Sequence, residues 1–137
     1  MTSYTAERTA EINERADAIA ALQPGDGITV SVWTDAEAYT VVRVTPTRIV
    51  ARMDDATLDG WKPEIIPGGF AGHCTNQSEQ KYTYSPNPQG RLVTVTLRRW
   101  KDEEGNERRK WKAAGYATHP QGGSARPGRH KFHDYNF

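Results

Sequence analysis

The residues best suited to chemistry fall in one stretch, Arg91 to Gly115, which reads RLVTVTLRRWKDEEGNERRKWKAAG. Trp100 and Trp111 stand there among Arg98, Arg99, Lys101, Arg108 and Lys110. Cationic groups attract phosphate and an indole face stacks on a planar base, so the combination suits a ligand carrying both. A plainer reading is open beside it: the tryptophans cover a core, and the charges solvate and blunt a strand edge. The closing GRHKFHDYNF adds Arg129, His130, Lys131 and His133. A tail docked beside this stretch would complete a cationic site of Arg98, Arg99, Trp100, Arg108, Lys110, Trp111, Arg129 and Lys131.

Other reactive groups are sparse. Cys74 beside His73 lacks the third, orienting group that a cysteine nucleophile requires, and reads as a small packed residue. A metal would need about four suitable ligands, and His73, Cys74, His119, His130 and His133 supply them only if loop and tail converge. Asp54, Asp55 and Asp59 do not follow the calcium-loop pattern and read as a solvated acidic turn. No phosphate-loop or dinucleotide fingerprint is present. The expectation is a binding protein rather than an enzyme, with no catalytic residues, metal or cofactor.

Strands must position the basic stretch. Val93, Val95 and Leu97 share one face of a strand, and Leu92, Thr94, Thr96, Arg98 and Trp100 share the other. The polar segment from Asp102 to Glu107 reverses the chain, with Gly105 available for positive φ. The return strand puts Arg109 and Trp111 on one face and Arg108, Lys110 and Lys112 on the other. Antiparallel pairing would then bring Trp100 and Trp111 close together.

Ahead of the hairpin, Thr5 to Leu22 predicts a helix that Pro24-Gly25 stops, with Ile12, Ala16, Ile19 and Ala20 as a thin apolar stripe. Strands follow over 27–33, 38–45 and 48–53, with a turn at 34–37. Residues 54–80 read as a long irregular connection, with Ile65, Ile66 and Phe70 as plugs against the core and Trp61 undecided. A further strand, Lys81 to Tyr84, sets Tyr82 and Tyr84 on one side. After Gly115 the glycines and prolines argue against regular structure, while Phe132, Tyr135 and Phe137 argue for docking rather than a solvated tail. The predicted fold is mainly β: a small SH3-like or partly open β-barrel with an N-terminal helix and an irregular docked C-terminal tail. The organisation is 1–24 helix, 25–115 barrel with an insertion at 54–80, and 116–137 tail.

The chain has 137 residues, a 36% apolar content and a mean hydropathy of −0.80, which suit one polar domain with a modest core. A single cysteine fits a reducing compartment, and no secretory or membrane segment is apparent, so a cytoplasmic protein is expected. The net charge of +1 hides a division. Residues 1–80 hold 6 Lys and Arg against 12 Asp and Glu, whereas residues 81–137 hold 12 against 5. The second half is the better candidate for an anionic partner.

The segments KYTYSPNPQGRLVTVTLRR, WKAAG and PGRHKFHDYNF resemble a family of small uncharacterised proteins from bacteriophages of actinobacteria. The resemblance runs from about Gly25 to the C-terminus and implies an accessory protein made in the host cytoplasm; no activity comes with it. The expected ligand is nucleic acid or a small nucleotide. The alternative from another class is a module that binds a host protein through the helix, the acidic half and open strand edges. A self-assembling virion component is a weaker third.

Overall fold

A computed structural model describes residues 3–32, 34–67, 72–114 and 123–136. The expected places of Phe70 and Phe137 in packing, and of His119 as a ligand, lie outside them.

Helix α1 spans Tyr4–Ala20. Ser3 caps it, its hydroxyl accepting from the Ala6 N–H at 3.0 Å, and Glu7 sits in the first turn where the dipole favours an acid. Pro24 and the left-handed Gly25 (φ +96°) follow its last turn. Six strands then make a closed barrel: β1 (Gly27–Val32), β2 (Asp35–Val44), β3 (Arg48–Met53), β8 (Leu92–Lys101), β9 (Glu107–Ala113) and β10 (Ser124–Pro127). Every neighbour is antiparallel, and the order around the barrel is the chain order, broken only by the insertion between β3 and β8. The fold is therefore the mainly β, small barrel with an N-terminal helix that the alternation implies.

The sixth strand corrects the reading of the tail as wholly irregular. Ser124–Pro127 pairs with β1, Val30 facing Ala125 and Ile28 facing Pro127, which closes the barrel. Among the described residues its register with β9 is one pair, Ser124 with Lys112, beside which the Ala113 N–H donates to the Gly123 carbonyl at 2.9 Å. A seam is left beside β9, and α1 lies along it. Asn13 takes the place of a missing strand there: its amide donates to the Glu107 carbonyl at 2.9 Å, and its oxygen accepts from the Arg109 N–H at 2.8 Å. Both backbone groups thus find the partners that a strand edge lacks.

The core gathers Ile28, Val30, Tyr39, Val41, Ile49, Ala51, Val93, Val95, Trp111, Ala113 and Ala125 with Ala16 and Ile19 of the helix. Ala20, expected in the helix stripe, is exposed. A bulge in β2 between Val41 and Arg43 lets Val41 and Val44 both reach the inside and leaves Val42 exposed. β2 also begins at Asp35, inside the turn expected at 34–37.

The insertion is more ordered than a loop. β4 (Asp55–Leu58) pairs with β7 (Tyr82–Ser85), β5 (Ile65–Ile66) pairs with β6 (His73–Cys74), and a 3-10 turn covers Gln77–Glu79. Ile65 and Ile66 are not plugs: they are 52% and 56% exposed on the β5–β6 ribbon. Trp61 is half-buried against Tyr135, ring centres 5.4 Å apart, and its indole N–H reaches the Asn76 carbonyl.

Candidate nucleic-acid interface

The hairpin β8–β9 presents two faces with different electrostatics. Its turn is held by Asp102, whose Oδ1 accepts the Glu104 and Asn106 N–H groups at 2.9 Å, and Gly105 there has φ +83°. The other oxygen of Asp102 accepts from the Thr9 hydroxyl at 2.5 Å, and Thr9 accepts from Arg108 Nε at 2.8 Å. These bonds hold the Asp102 carboxyl well below its ordinary range, at about 2, the Thr9 hydroxyl being the largest cause. They also tie the turn to α1.

Register assigns the side chains to faces. Leu97 stands opposite Trp111 and Arg99 opposite Arg109; Thr96 stands opposite Lys112, Arg98 opposite Lys110 and Trp100 opposite Arg108. Paired residues share a face, so Trp100 and Trp111 project to opposite sides. Trp111 is 1% exposed in the core, and its indole N–H donates to the Ala16 carbonyl at 3.0 Å. It is a packing residue with its polar handle satisfied by α1. The expectation that a base stacks on it is corrected.

Two cation pairs, Arg99–Arg109 and Arg98–Lys110, span this hairpin in different company. On the Leu97 side, Arg99 and Arg109 share Glu107 at 3.7 and 3.8 Å, and Arg109 also meets Asp17 at 3.0 Å. Arg99 is thereby placed on the other face from Arg98 and is compensated. On the outward side, neither Arg98 nor Lys110 has a carboxylate within ion-pair distance among the described residues. The same face continues onto β3, where Arg48 stands opposite Thr96 and Val50 opposite Thr94. No Asp or Glu occupies an outward position on β3, β8 or β9. Among the described residues Arg48, Arg98, Lys110 and Lys112 are its cations without a carboxylate partner, as is Arg52, which instead donates to the Gly90 carbonyl; Trp100 stands at the margin, 40% exposed. Burial first, then Lys112, Arg15 and Arg8, push the Lys110 ammonium below its ordinary pKa.

Arg108 shares the outward face but is spent on Thr9 and, at 3.9 Å, Asp102. Arg129 and Lys131 are elsewhere. The tail from Gly128 onward docks on β1 and β2, where Arg129 Nε meets Asp54 at 2.8 Å and Lys131 Nζ meets Glu37 at 2.7 Å. The Asp54 side chain is 1% exposed, so Arg129 compensates a buried charge and is not free for an anion. A cationic site shared by tail and hairpin therefore does not form. The tail instead laces the insertion to the barrel. Lys131 N–H donates to the Tyr84 hydroxyl, Phe132 and Ala36 exchange backbone bonds, and Asn136 brackets Cys74 with two. Burial beneath this lacing, helped by Tyr135 and Glu37, raises the Tyr82 phenol to about 12.

Of the eight residues expected, Arg98, Trp100 and Lys110 stand together at the outward basic surface. Arg48, Lys112, Arg8 and Arg15 join them without having been expected. Lys112 was recoverable from its parity with Lys110. Arg8 and Arg15 were recoverable from the helical spacing Arg8, Glu11, Ile12, Arg15, which puts four residues on one stripe. Arg48 was not, because strand order decides its neighbours. Cys74 is 2% exposed, its thiol 3.4 Å from Asn76 Oδ1, and no cluster of three metal-ligating residues occurs among the described residues.

No protein-family model, no curated protein and no solved structure matches this chain. No helix among the described residues is long and apolar enough to cross a membrane.

Proposed function

We propose that this protein binds nucleic acid through the outward face of β3, β8 and β9, with phosphates along Arg48, Lys112, Arg98 and Lys110. One observation carries the reading: the Arg99–Arg109 pair is compensated by Glu107 and Asp17, while the Arg98–Lys110 pair on the opposite face has no counter-charge among the described residues. Like charges directly opposite destabilise a hairpin. A phosphate supplies what the chain withholds there, through charge-assisted hydrogen bonds. The role is that of a binding protein and not an enzyme, an accessory component of the host cytoplasm in keeping with the phage resemblance.

Anisotropy of a labelled oligonucleotide at about 50 and about 200 mM salt tests it, since each phosphate contact releases counterions and steepens the salt dependence. Arg98→Gln and Lys112→Gln should each weaken binding across sequences and lower the salt slope by about one. No binding at low salt, or an unchanged slope in the double variant, would refute the reading.

A second reading, a module for a host protein, is favoured by the exposed Ile65 and Ile66. Replacing both by Ser should then abolish capture of that partner and leave oligonucleotide affinity intact. Deleting α1 would not separate the readings, because the helix also closes the seam beside β9.

A further inference from the structure

We infer that the cleft between α1 and the hairpin is a base pocket, holding one unstacked base of a single strand whose phosphates lie on the adjoining cations. This rests on the nucleic-acid reading above and names the form of nucleic acid it takes. The cleft encloses about 170 Å³. Half-buried Ile12 gives it an apolar wall with the buried Ala16, Ile19 and Trp111 packed behind, Trp100 lines it from β8 as the one exposed ring, and Arg8, Arg15 and Lys110 bring positive charge beside a single acid, Glu11. It lies where β10 meets β9 at one register pair among the described residues and the helix, wider than a strand, covers the seam.

The two kinds of wall are separated as a nucleotide is. Arg8 is answered by Glu11 at 3.4 Å, but Arg15 and Lys110 have no carboxylate partner among the described residues. Lys110 belongs both to the cleft and to the outward row with Arg98, so a backbone crossing that row passes the opening. A stacked, paired base cannot leave the duplex without cost, whereas a single strand offers its rings freely. An apolar wall with an exposed indole, joined to unpaired cations, therefore selects a single strand over a duplex.

Three labelled probes of equal length decide it by anisotropy: a single strand, the same strand made abasic, and the duplex. The single strand should bind about tenfold more tightly than the abasic strand, the gain expected of one stacked base, and the duplex should match the abasic strand. Trp100→Ala, at an exposed position, and Ile12→Trp, which fills the cleft, should each erase that tenfold difference while leaving abasic affinity unchanged. Equal affinity for the strand and its abasic form, or a difference that survives both variants, would overturn the pocket alone. Failure of all three probes to bind would overturn the nucleic-acid reading beneath it.

Discussion

Replacing Trp111 by Phe tests the assignment on which the two faces of the hairpin depend. The side chain is 1% exposed and its N–H bonds the Ala16 carbonyl at 3.0 Å. Phe removes that bond, worth about 1 kcal/mol net. It also removes roughly 40 Å³ of packed ring, which at about 24 cal/mol per Å³ adds roughly 1 kcal/mol before the lost transfer energy. The variant should lose about 2–3 kcal/mol and Trp111→Ala about 3–5 kcal/mol. For a chain of this size that is a melting temperature lower by roughly 5–10 °C for Phe. Urea unfolding measures it, and tryptophan emission supplies a second readout. The buried indole should give the bluest component, which Trp111→Phe removes and Trp100→Ala leaves. A Trp111→Phe protein within about 0.5 kcal/mol of the parent, as surface substitutions usually are, and with its blue emission intact would refute the placement of Trp111 in the core.

Three further outcomes follow from the docking of helix and tail. Asn13→Ala frees the Glu107 carbonyl and the Arg109 N–H together, so it should cost about 1–3 kcal/mol and accelerate amide exchange at Arg109. The Asp102 carboxyl, held at about 2 against its ordinary 3.8, stabilises the folded state above the ordinary value, and that contribution is lost as pH falls from about 4 towards about 2. Asp102→Asn should flatten acid unfolding in that window, and a carboxyl titration by NMR should place the group near 2. Arg129→Ala strands the buried Asp54 and should cost about 3 kcal/mol in a denaturant melt, while oligonucleotide affinity of the folded protein stays unchanged.

Much of the molecule was legible in the chain itself. The two-residue alternation of Val93, Val95 and Leu97, the parity of Arg108, Lys110 and Lys112, and Gly105 in the turn fixed the hairpin and the sidedness of its charges, because pleating alone sets them. Ile12, Ala16 and Ile19 marked the helix face that packs, since helical spacing is equally local. What the tertiary structure decided was which unlike segments meet. Ser124–Pro127 closes the barrel although its neighbours read as loop, since pairing with β1 satisfies a backbone that composition alone would leave free. Arg129 and Lys131 look like Arg98 and Lys110 in sequence, yet Asp54 and Glu37 lie 75 and 94 residues away along the chain and claim them. Trp100 and Trp111 differ only in the face each presents: the core with α1 above it buries Trp111 behind the cleft and leaves Trp100 exposed at its wall. Charge and aromatic content are properties of residues, but availability is a property of neighbours, and neighbours are set by the fold.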